Sequence, residues 1–330
     1  MRPFTRTTAL GAFVGLAVLT ACGTTDTTSA PASPGPSPSP SAQASFPVTV
    51  SSGGASTTVE REPRAIVSLS PTATEMVYAV DAGPQVKAVD DQSSYPSAAP
   101  RTKLSGFQPN VEALLATSPD LVLLSDASTG DVGAGLAKAG VPYLVLPAAT
   151  TLQDTYDQIA AIGTATGHAD AAEELVAGMK SDIDALVAEV PQRERKPTYY
   201  HELDPTYFSA TSKTFLGQLY GLAGLTNIAD EADSGGKAGG YPQLSAEYIV
   251  KADPDLIFLA DEKCCDVTPA KLAARPGFST LTAVKTGQVV PLPEDVASRW
   301  GPRVVELLRV IVKATQQLDA PSPAPSSTTG

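Results

Sequence analysis

Few side chains in this sequence could carry covalent or metal chemistry. The chain has three cysteines and two histidines, and Cys264 and Cys265 are adjacent, shortly after a predicted strand. In an oxidising compartment this pair could be a strained vicinal disulfide, two free structural thiols, or a ligand of a metal or haem. The two histidines, His168 and His201, are distant in sequence, whereas a zinc or manganese site needs about three converging ligands.

The motifs of common enzyme classes are also missing. The sequence has no Gly-x-Ser-x-Gly elbow, no Gly-x4-Gly-Lys-Ser/Thr phosphate loop and no His-Glu-x2-His zinc motif. His168 lies in a polar helix start, where we expect solvent exposure. His201 ends a predicted strand, where a ligand contact and a structural role are both open. We therefore expect no catalytic residue, no cofactor, no metal site and no enzymatic activity. The net charge of −12 argues against nucleic acid or anionic lipid as a partner.

Cys22 ends an N-terminal segment that is organised like a secretory signal. A positively charged start precedes the apolar residues 8–19, a run shorter than the about 20 residues that a membrane-spanning helix needs. The Leu-Thr-Ala-Cys sequence at 19–22 resembles the lipobox of bacterial lipoproteins. This resemblance implies that residues 1–21 are a lipoprotein signal peptide and that Cys22 is lipidated, on the extracytoplasmic face of the cell membrane. The alternative is an ordinary signal peptide with an incidental cysteine.

Low-complexity segments flank a folded body. Residues 22–58 are rich in Ser, Thr and Pro and are predicted to form a disordered tether, because they offer too little apolar surface to offset chain entropy. Residues 320–330 are predicted to be a similar tail. Between them we expect an N-terminal lobe over 59–152, a helical region with a bridging helix over 153–191, and a C-terminal lobe over 192–319.

A repeat occurs once in each predicted lobe, at residues 110–124 and 245–259. In both copies a glutamate, Glu112 or Glu247, is followed seven residues later by Pro-Asp-Leu and then by an apolar run. This pattern predicts a short helix that begins near the glutamate, a Pro-Asp stop and a buried strand. The repeat therefore predicts two similarly built lobes.

Apolar runs alternate with helical stretches in both lobes, which predicts an α/β fold of two Rossmann-like lobes with central, largely parallel sheets. Composition predicts helix throughout residues 153–190. Spacings of three and four between apolar residues within 171–190 indicate one long, rigid helix that bridges the lobes. The predicted strands are residues 65–69, 86–89, 121–124 and 143–146 in the first lobe, and 197–201, 256–259 and 289–292 in the second.

Five motifs, in this order, resemble those of class III solute-binding lipoproteins of ABC importers, the branch for iron-siderophores, haem and cobalamin. The motifs are residues 67–75, 89–96, 106–112, 241–247 and 299–303. Their spacing is nearest to the cobalamin-binding type, and the resemblance covers about residues 60–315. It implies a receptor that captures a bulky metal chelate (a corrinoid, a ferric siderophore or haem) between its lobes and delivers it to a permease dimer with its ATPase.

The resemblance also implies roles for individual residues. Glu112 and Glu247 match two glutamates, one at each lobe tip, that dock on permease arginines, and a role in starting a helix is the alternative. Gln92 stands where the cobalamin-binding type has Tyr, and Tyr241 stands where it has Trp. For the aromatic candidates, core packing is the alternative. The implied ligand-binding residues are Gln92, Tyr95, Phe107, Tyr207, Phe208, Tyr241, Asp295, Arg299 and Trp300.

We thus predict a monomeric, lipid-anchored transport receptor that performs no covalent chemistry. The alternative is a lipid-anchored surface protein of the same fold with a sensory or adhesion role and no transport role. Genes for a permease and an ATPase beside this one would favour the receptor.

Overall fold

The first lobe is built on a four-stranded parallel sheet. The computed structural model describes residues 45–126 and 130–318, so the signal peptide, Cys22 and the tail at 320–330 lie outside the described residues. The strand order is β4-β3-β5-β6, with Ile66 paired to Leu121. The elements are β1 (Val48–Ser52), β2 (Ala55–Val59), β3 (Ile66–Ser68), α1 (Pro71–Ala79), β4 (Val86–Val89), α2 (Val111–Leu115), β5 (Leu121–Leu124), α3 (Gly130–Lys138) and β6 (Tyr143–Val145).

The second lobe repeats this topology. Its parallel sheet has the order β10-β9-β7-β8, so in both sheets the first strand lies between the second and the third. The predicted α/β fold with two similarly built lobes is confirmed. The elements are β7 (Thr198–Glu202), α6 (Phe215–Leu222), β8 (Thr226–Asn227), α7 (Ala246–Ala252), β9 (Leu256–Leu259), α8 (Glu262–Cys265), α9 (Pro269–Ala273), α10 (Thr282–Lys285), β10 (Val289–Pro291), α11 (Glu294–Ala297) and α12 (Val304–Gln317).

Two helices, rather than one continuous helical region, connect the lobes. α4 (Leu152–Thr166) ends at Gly167, whose φ of +84° is a left-handed conformation that glycine adopts without a Cβ clash. α5 (Ala169–Ala188) is the predicted bridging helix, and it buries Met179 and Ile183. One apolar core continues through α4, α5 and α12 into both lobes, which makes the connection stiff. No helix in the described ranges, α5 included, is long and apolar enough to cross a bilayer.

The folded body begins earlier than predicted. The predicted tether, residues 22–58, is too long at its C-terminal end, because β1 and β2 form an antiparallel hairpin there. Two glycines at 53–54, both with positive φ, make the tight turn. Val50 is buried in the core, and the Thr57 hydroxyl donates to the Tyr143 carbonyl of the edge strand β6 at 2.7 Å. The Ser/Thr composition concealed this hairpin, although valines alternate with polar residues in it.

The aspartate of the Pro-Asp step ties neighbouring strands together in both lobes. The Asp120 carboxylate accepts a hydrogen bond from the Ala65 N–H, just before β3, at 2.8 Å. Asp255 accepts one from the Thr198 N–H, at the start of β7, at 2.7 Å, and a second from the Arg195 guanidinium at 2.9 Å. The repeat therefore recurs partly because each sheet needs this link between its first and third strands.

Replacing Asp255 with alanine should lower the free energy of unfolding by about 2–4 kcal/mol, because charge-assisted hydrogen bonds are lost. Burial alone would raise the pKa of Asp255, but hydrogen bonds from Arg195 and Thr198 lower it overall. A lowered folded-state pKa means that this stabilisation is present above the unfolded-state pKa. It is lost as the pH falls through the folded-state pKa. Denaturant unfolding at neutral and at strongly acidic pH measures both effects.

Asp184→Ala is a suitable control, because Asp184 is exposed on α5. It should change the stability by less than about 0.5 kcal/mol. An Asp255→Ala effect of the same size at both pH values would contradict the role assigned to the carboxylate.

Candidate ligand-binding cleft

A cavity of about 590 Å³ lies between the lobes at the carboxyl ends of their strands. Ligand sites in open α/β sheets usually occupy this position, near the point where the strand order reverses. A second cavity of about 530 Å³, between the β1–β2 hairpin and β6, contains none of the predicted site residues. The lining of the first cavity includes Ser70 and Thr72 after β3, Asp90 and Gln92 after β4, Ser125 after β5, Lys263 in α8, and Glu294 and Asp295 in α11.

Buried polar contacts hold the first-lobe wall in place. Ser70 caps α1 by accepting a hydrogen bond from the Ala73 N–H, so α1 begins at the cavity. After β4, the Asp90 carboxylate accepts hydrogen bonds from the N–H groups of Gln92 at 3.1 Å and Ser93 at 2.7 Å. Burial raises the pKa of Asp90 in spite of these hydrogen bonds. The wall thus contains a carboxyl group that holds a proton more readily than a free aspartate does.

Phe107 is the most exposed aromatic side chain of the cavity wall, with 83% of its surface accessible. The backbone before it packs closely against the β3 and β4 loops. A Cβ at Gly106 would lie 2.5 Å from an Asp90 carboxylate oxygen and 2.7 Å from the Leu69 carbonyl oxygen, so this packing requires glycine. The close packing fixes the position of Phe107 while leaving its ring free for a ligand.

A buried ion cluster joins the two sides of the cavity. Glu75, in α1, is 3% exposed. Its carboxylate accepts hydrogen bonds from Arg299 Nη1 at 2.6 Å, Arg303 Nη2 at 2.6 Å and Arg303 Nε at 3.0 Å. The Arg303 guanidinium also lies over the Tyr95 ring, 4.1 Å from its centroid. The segment that follows the second-lobe strand β10 is therefore held on the first lobe.

Trp300 and Arg299 line the cavity and are also held by protein groups. The Trp300 indole N–H donates to Gln158 Oε1 at 3.1 Å, and the Trp300 carbonyl accepts from Thr155 Oγ1 at 2.9 Å. The second guanidinium nitrogen of Arg299, Nη2, has only long contacts of 3.4–3.5 Å with three acceptors. This nitrogen is the part of Arg299 best placed to donate to a ligand.

The structure brings five of the nine predicted ligand-binding residues to the cavity wall, and the remaining four lie outside the lining. Their roles in binding stay predictions. The five in the wall are Gln92, Phe107, Asp295, Arg299 and Trp300.

The four residues outside the lining have different surroundings. Tyr95 covers the guanidinium of Arg303 and is 45% exposed. Tyr207 is partly buried, with its ring stacked 6.0 Å from that of Phe278, so core packing accounts for it. Phe208 and Tyr241 are exposed on second-lobe loops.

The sequence pattern did not single out several charged residues of the cavity wall. Asp90 and Lys263 each lie shortly after a buried strand, and that position is a usable signal for a site residue. Glu75 and Arg303 lie inside two of the motifs quoted above, although no role followed from the sequence. The charged wall residues that were missed are Asp90, Asp91, Arg101, Lys263 and Glu294.

Two buried carboxyl groups lie at the strand ends of the second lobe, outside the cavity lining. Arg275 binds both oxygens of Glu202, each at 2.7 Å. Asp261 is fully buried, and neither of its carboxylate oxygens has a hydrogen-bond partner among the described residues. Burial and the neighbouring Glu202 charge raise the pKa of Asp261. This environment favours the protonated, neutral form of the Asp261 carboxyl group.

The histidines and the paired cysteines also lie outside the cavity lining. His201 is fully buried, with its Nδ1 2.7 Å from the Tyr220 hydroxyl oxygen, and burial lowers its pKa to about 4. His168 lies at the start of α5. Cys264 and Cys265 form a disulfide within α8. Within residues 45–126 and 130–318, no group of three or more His, Cys, Asp or Glu side chains could hold a metal ion.

Glu112 and Glu247 occupy the same position in two equivalent helices. Asn110 caps α2 and Ser245 caps α7, each by accepting a hydrogen bond from the N–H group three residues later. Both glutamates are exposed, and neither lines the cavity. Equivalent helices of the two lobes therefore present acidic starts to solvent.

Comparison with known families and proteins agrees with this geometry. Residues 66–296 match the family described as periplasmic binding protein. The uncharacterized ABC transporter substrate-binding lipoprotein YvrC of Bacillus subtilis is 30% identical over 79% of this chain and 83% of its own length. A cobalamin-binding protein of Halobacterium salinarum is 32% identical over 79% of this chain and 72% of its own length.

Solved structures have the same arrangement of lobes. A possible iron-binding periplasmic protein of Staphylococcus epidermidis has a TM-score of 0.66 and 26% identity, covering 77% of this chain and 99% of its own. The periplasmic vitamin B12-binding protein BtuF of Vibrio cholerae has a TM-score of 0.63 at 22% identity, covering 78% and 98%, a likeness of fold. Since the family match extends across both lobes and the helices between them, the chain belongs to the periplasmic binding protein family.

Proposed function

We propose that this protein is the extracytoplasmic receptor of an ABC importer and that it captures a bulky metal chelate, with a corrinoid as the first candidate. One observation carries the choice of ligand class. The large hydrophobic side chains that are exposed in the described ranges are four aromatics, all among the predicted ligand-binding residues. The four are Tyr95, Phe107, Phe208 and Tyr241. Phe107 lies in the cavity wall, where an exposed aromatic ring favours a ligand with a large flat surface, such as a macrocycle.

The charge of the cavity wall supports a corrinoid over the anionic chelates. The cavity wall has four acidic and three basic residues, and the positive charge of Arg299 is paired with the Glu75 carboxylate. A ferric catecholate or the propionates of haem would therefore meet no excess of positive charge. A corrinoid, with its many amide groups, needs hydrogen-bonding partners more than charge. The charged wall residues are Asp90, Asp91, Glu294 and Asp295 against Arg101, Lys263 and Arg299.

Titration of the full-length protein with cyanocobalamin, haemin and a ferric catecholate tests this proposal. Trp300 is the only tryptophan of the chain and lines the cavity, so its fluorescence reports on the cleft. We expect saturable quenching by cyanocobalamin at lower concentration than by either anionic chelate. Specific quenching by haemin alone would replace the corrinoid with haem. If none of the three chelates changed the Trp300 fluorescence of the folded protein, the proposed ligand class would be overturned.

Phe107→Ala should weaken cyanocobalamin binding by about 1–3 kcal/mol, or about 5- to 150-fold in Kd, because a stacked aromatic contact is lost. Phe107→Tyr is the matched control, since it keeps the ring and should keep Kd within about threefold. Isothermal titration calorimetry measures both variants. Equal losses for alanine and tyrosine would show that the ring itself does not bind the ligand.

We further propose that Glu112 and Glu247 dock the two lobes on the permease. The proposal is supported by their equivalent, exposed positions at the starts of α2 and α7, outside the cavity lining. A pair of like charges on two similar lobes suits a permease built from two similar subunits. Such exposed charges mainly set the orientation and rate of encounter.

Reversing both charges, Glu112→Lys with Glu247→Lys, should abolish most of the transport while leaving Kd for the chelate within about threefold, since like charges would meet at the interface. Uptake assays in cells and calorimetry on the purified protein measure the two effects. Glu173→Lys with Glu174→Lys on α5 changes the net charge equally, at exposed positions, and should transport normally. Normal uptake by the first pair would contradict the docking role, whereas loss of chelate binding would move these residues to the ligand site.

We also propose that Cys22 carries the lipid that holds the receptor at the membrane. The support is the tetrapeptide at 19–22 after a short apolar run, together with a relative named as a lipoprotein. Cys22→Ala should abolish incorporation of labelled fatty acid and release the protein from the membrane fraction. Thr25→Ala, just beyond the tetrapeptide, should be labelled like the wild type. Continued acylation of Cys22→Ala would contradict the proposal.

A further inference from the structure

Cys264 and Cys265 form a disulfide between adjacent residues at the edge of the cleft. They end α8, the single helical turn that follows β9 and the buried Asp261. Both cysteines are exposed. The residue before them, Lys263, lines the ligand cavity.

Two polar contacts join the turn that contains the disulfide to α11. Lys263 Nζ forms an ion pair with Asp295 Oδ2 at 3.1 Å, and the Cys264 N–H donates to Glu294 Oε2 at 2.9 Å. Both carboxylates line the same cavity. The position of this turn therefore determines where the Lys263 side chain lies and whether Glu294 keeps its hydrogen bond to the Cys264 N–H.

These contacts also connect the two lobes across the cavity. Asp295 lies 3.5 Å from Arg299, and Arg299 is held by Glu75 of the first lobe. α11 is thereby tied to the first lobe, whereas α8 follows the second-lobe strand β9. A displacement of α8 would separate Lys263 and Cys264 from partners that the first lobe holds in place.

Backbone hydrogen bonds from the N–H groups of Cys265 and Asp266 support the shape of this turn, and the disulfide adds a covalent constraint to them. A helix of one turn is unstable by itself, because nucleation costs more than a single turn of hydrogen bonds recovers. Asp261, at the N-cap position, makes no capping hydrogen bond through its side chain. Asp266, which ends the turn, has a φ of +58°, an unfavourable conformation for a residue with a side chain. A covalent bond between neighbouring residues closes a small ring that restricts the backbone of both.

We propose that the Cys264–Cys265 disulfide is a positioning element of the ligand cleft: it fixes the turn that sets Lys263 and Cys264 against α11, and its reduction weakens ligand capture. Reduction by a thiol breaks the S–S bond with two electrons and two protons, forms two thiols, and converts the reductant to its own disulfide. The proposal rests on the proposed receptor function. Outside the cell, where conditions are oxidising, the disulfide is formed and the cleft is competent to bind the ligand.

Amide hydrogen exchange of the ligand-free, full-length protein tests the positioning role without reference to any ligand. Reduction with excess dithiothreitol should speed exchange in the segment 262–266 by about tenfold or more, because the Cys264 N–H loses its stable acceptor. The double variant Cys264→Ser with Cys265→Ser should exchange at the fast rate with and without reductant. Unchanged exchange in the wild type after complete reduction would overturn the proposal.

Binding is compared without reductant, so that the chelate itself is not reduced. Calorimetry with cyanocobalamin should give the double serine variant a Kd about 3- to 30-fold weaker than that of the oxidised wild type. Equal Kd values would overturn the role in capture. Faster exchange on reduction together with no cyanocobalamin binding by the oxidised wild type would contradict the corrinoid assignment instead, and would leave the positioning role supported.

Discussion

The buried carboxylate of Glu75 is the contact on which the geometry of the cleft depends. A charge at 3% exposure is tolerated only when it is paired and hydrogen-bonded, and three hydrogen bonds from Arg299 and Arg303 meet that condition. The backbone between the arginines also approaches closely, since a Cβ at Gly301 would lie 3.3 Å from Glu75 Oε2. Because a buried Glu75 carboxylate without its arginine partners would be strongly destabilising, the segment between α11 and α12 is held on the first lobe.

Several features of the cavity follow from this contact. Trp300 lies between the two arginines, so the same anchoring places its indole in the wall, where the side chain of Gln158 completes the hydrogen bonding. Asp295, one helical turn before Arg299, is positioned to pair with Lys263. The cavity is thus closed by a chain of alternating charges from the first lobe to the second, which leaves its wall close to neutral.

The lobes are also joined by their packing. α4, α5 and α12 bury side chains in one apolar core that reaches both sheets, so the connection is a packed layer and not a pair of strands. A close-packed interior resists large deformation. We therefore expect ligand capture to depend on small local adjustments at the cleft edge, where the one-turn helix with the vicinal cysteines contacts α11.

Much of the fold was accessible from local sequence patterns, and the exceptions have identifiable causes. Strands β5 and β9 lie where the apolar runs predicted them, because a fully buried strand must be apolar on both faces. The two-residue strand β8 has no such run. The β1–β2 hairpin was assigned to the tether, because its Ser and Thr side chains suit both a disordered chain and an exposed ribbon. Gly167 divides the helical region, although composition alone favoured one continuous segment.

The sequence by itself determined the two-lobed α/β architecture and the equivalent helix starts at Glu112 and Glu247. These features depend on residue type and on spacing along the chain. Only the tertiary structure decided which residues meet in the cleft. Glu75 and Arg299 are 224 residues apart, so their pairing depends on how the two sheets and α5 are oriented in space. Lys263 and Asp295 follow the neighbouring strands β9 and β10, so their pairing depends on the strand order within one sheet. Local patterns carry no information about such distances, because charge pairing and burial arise between segments that the folded core brings together.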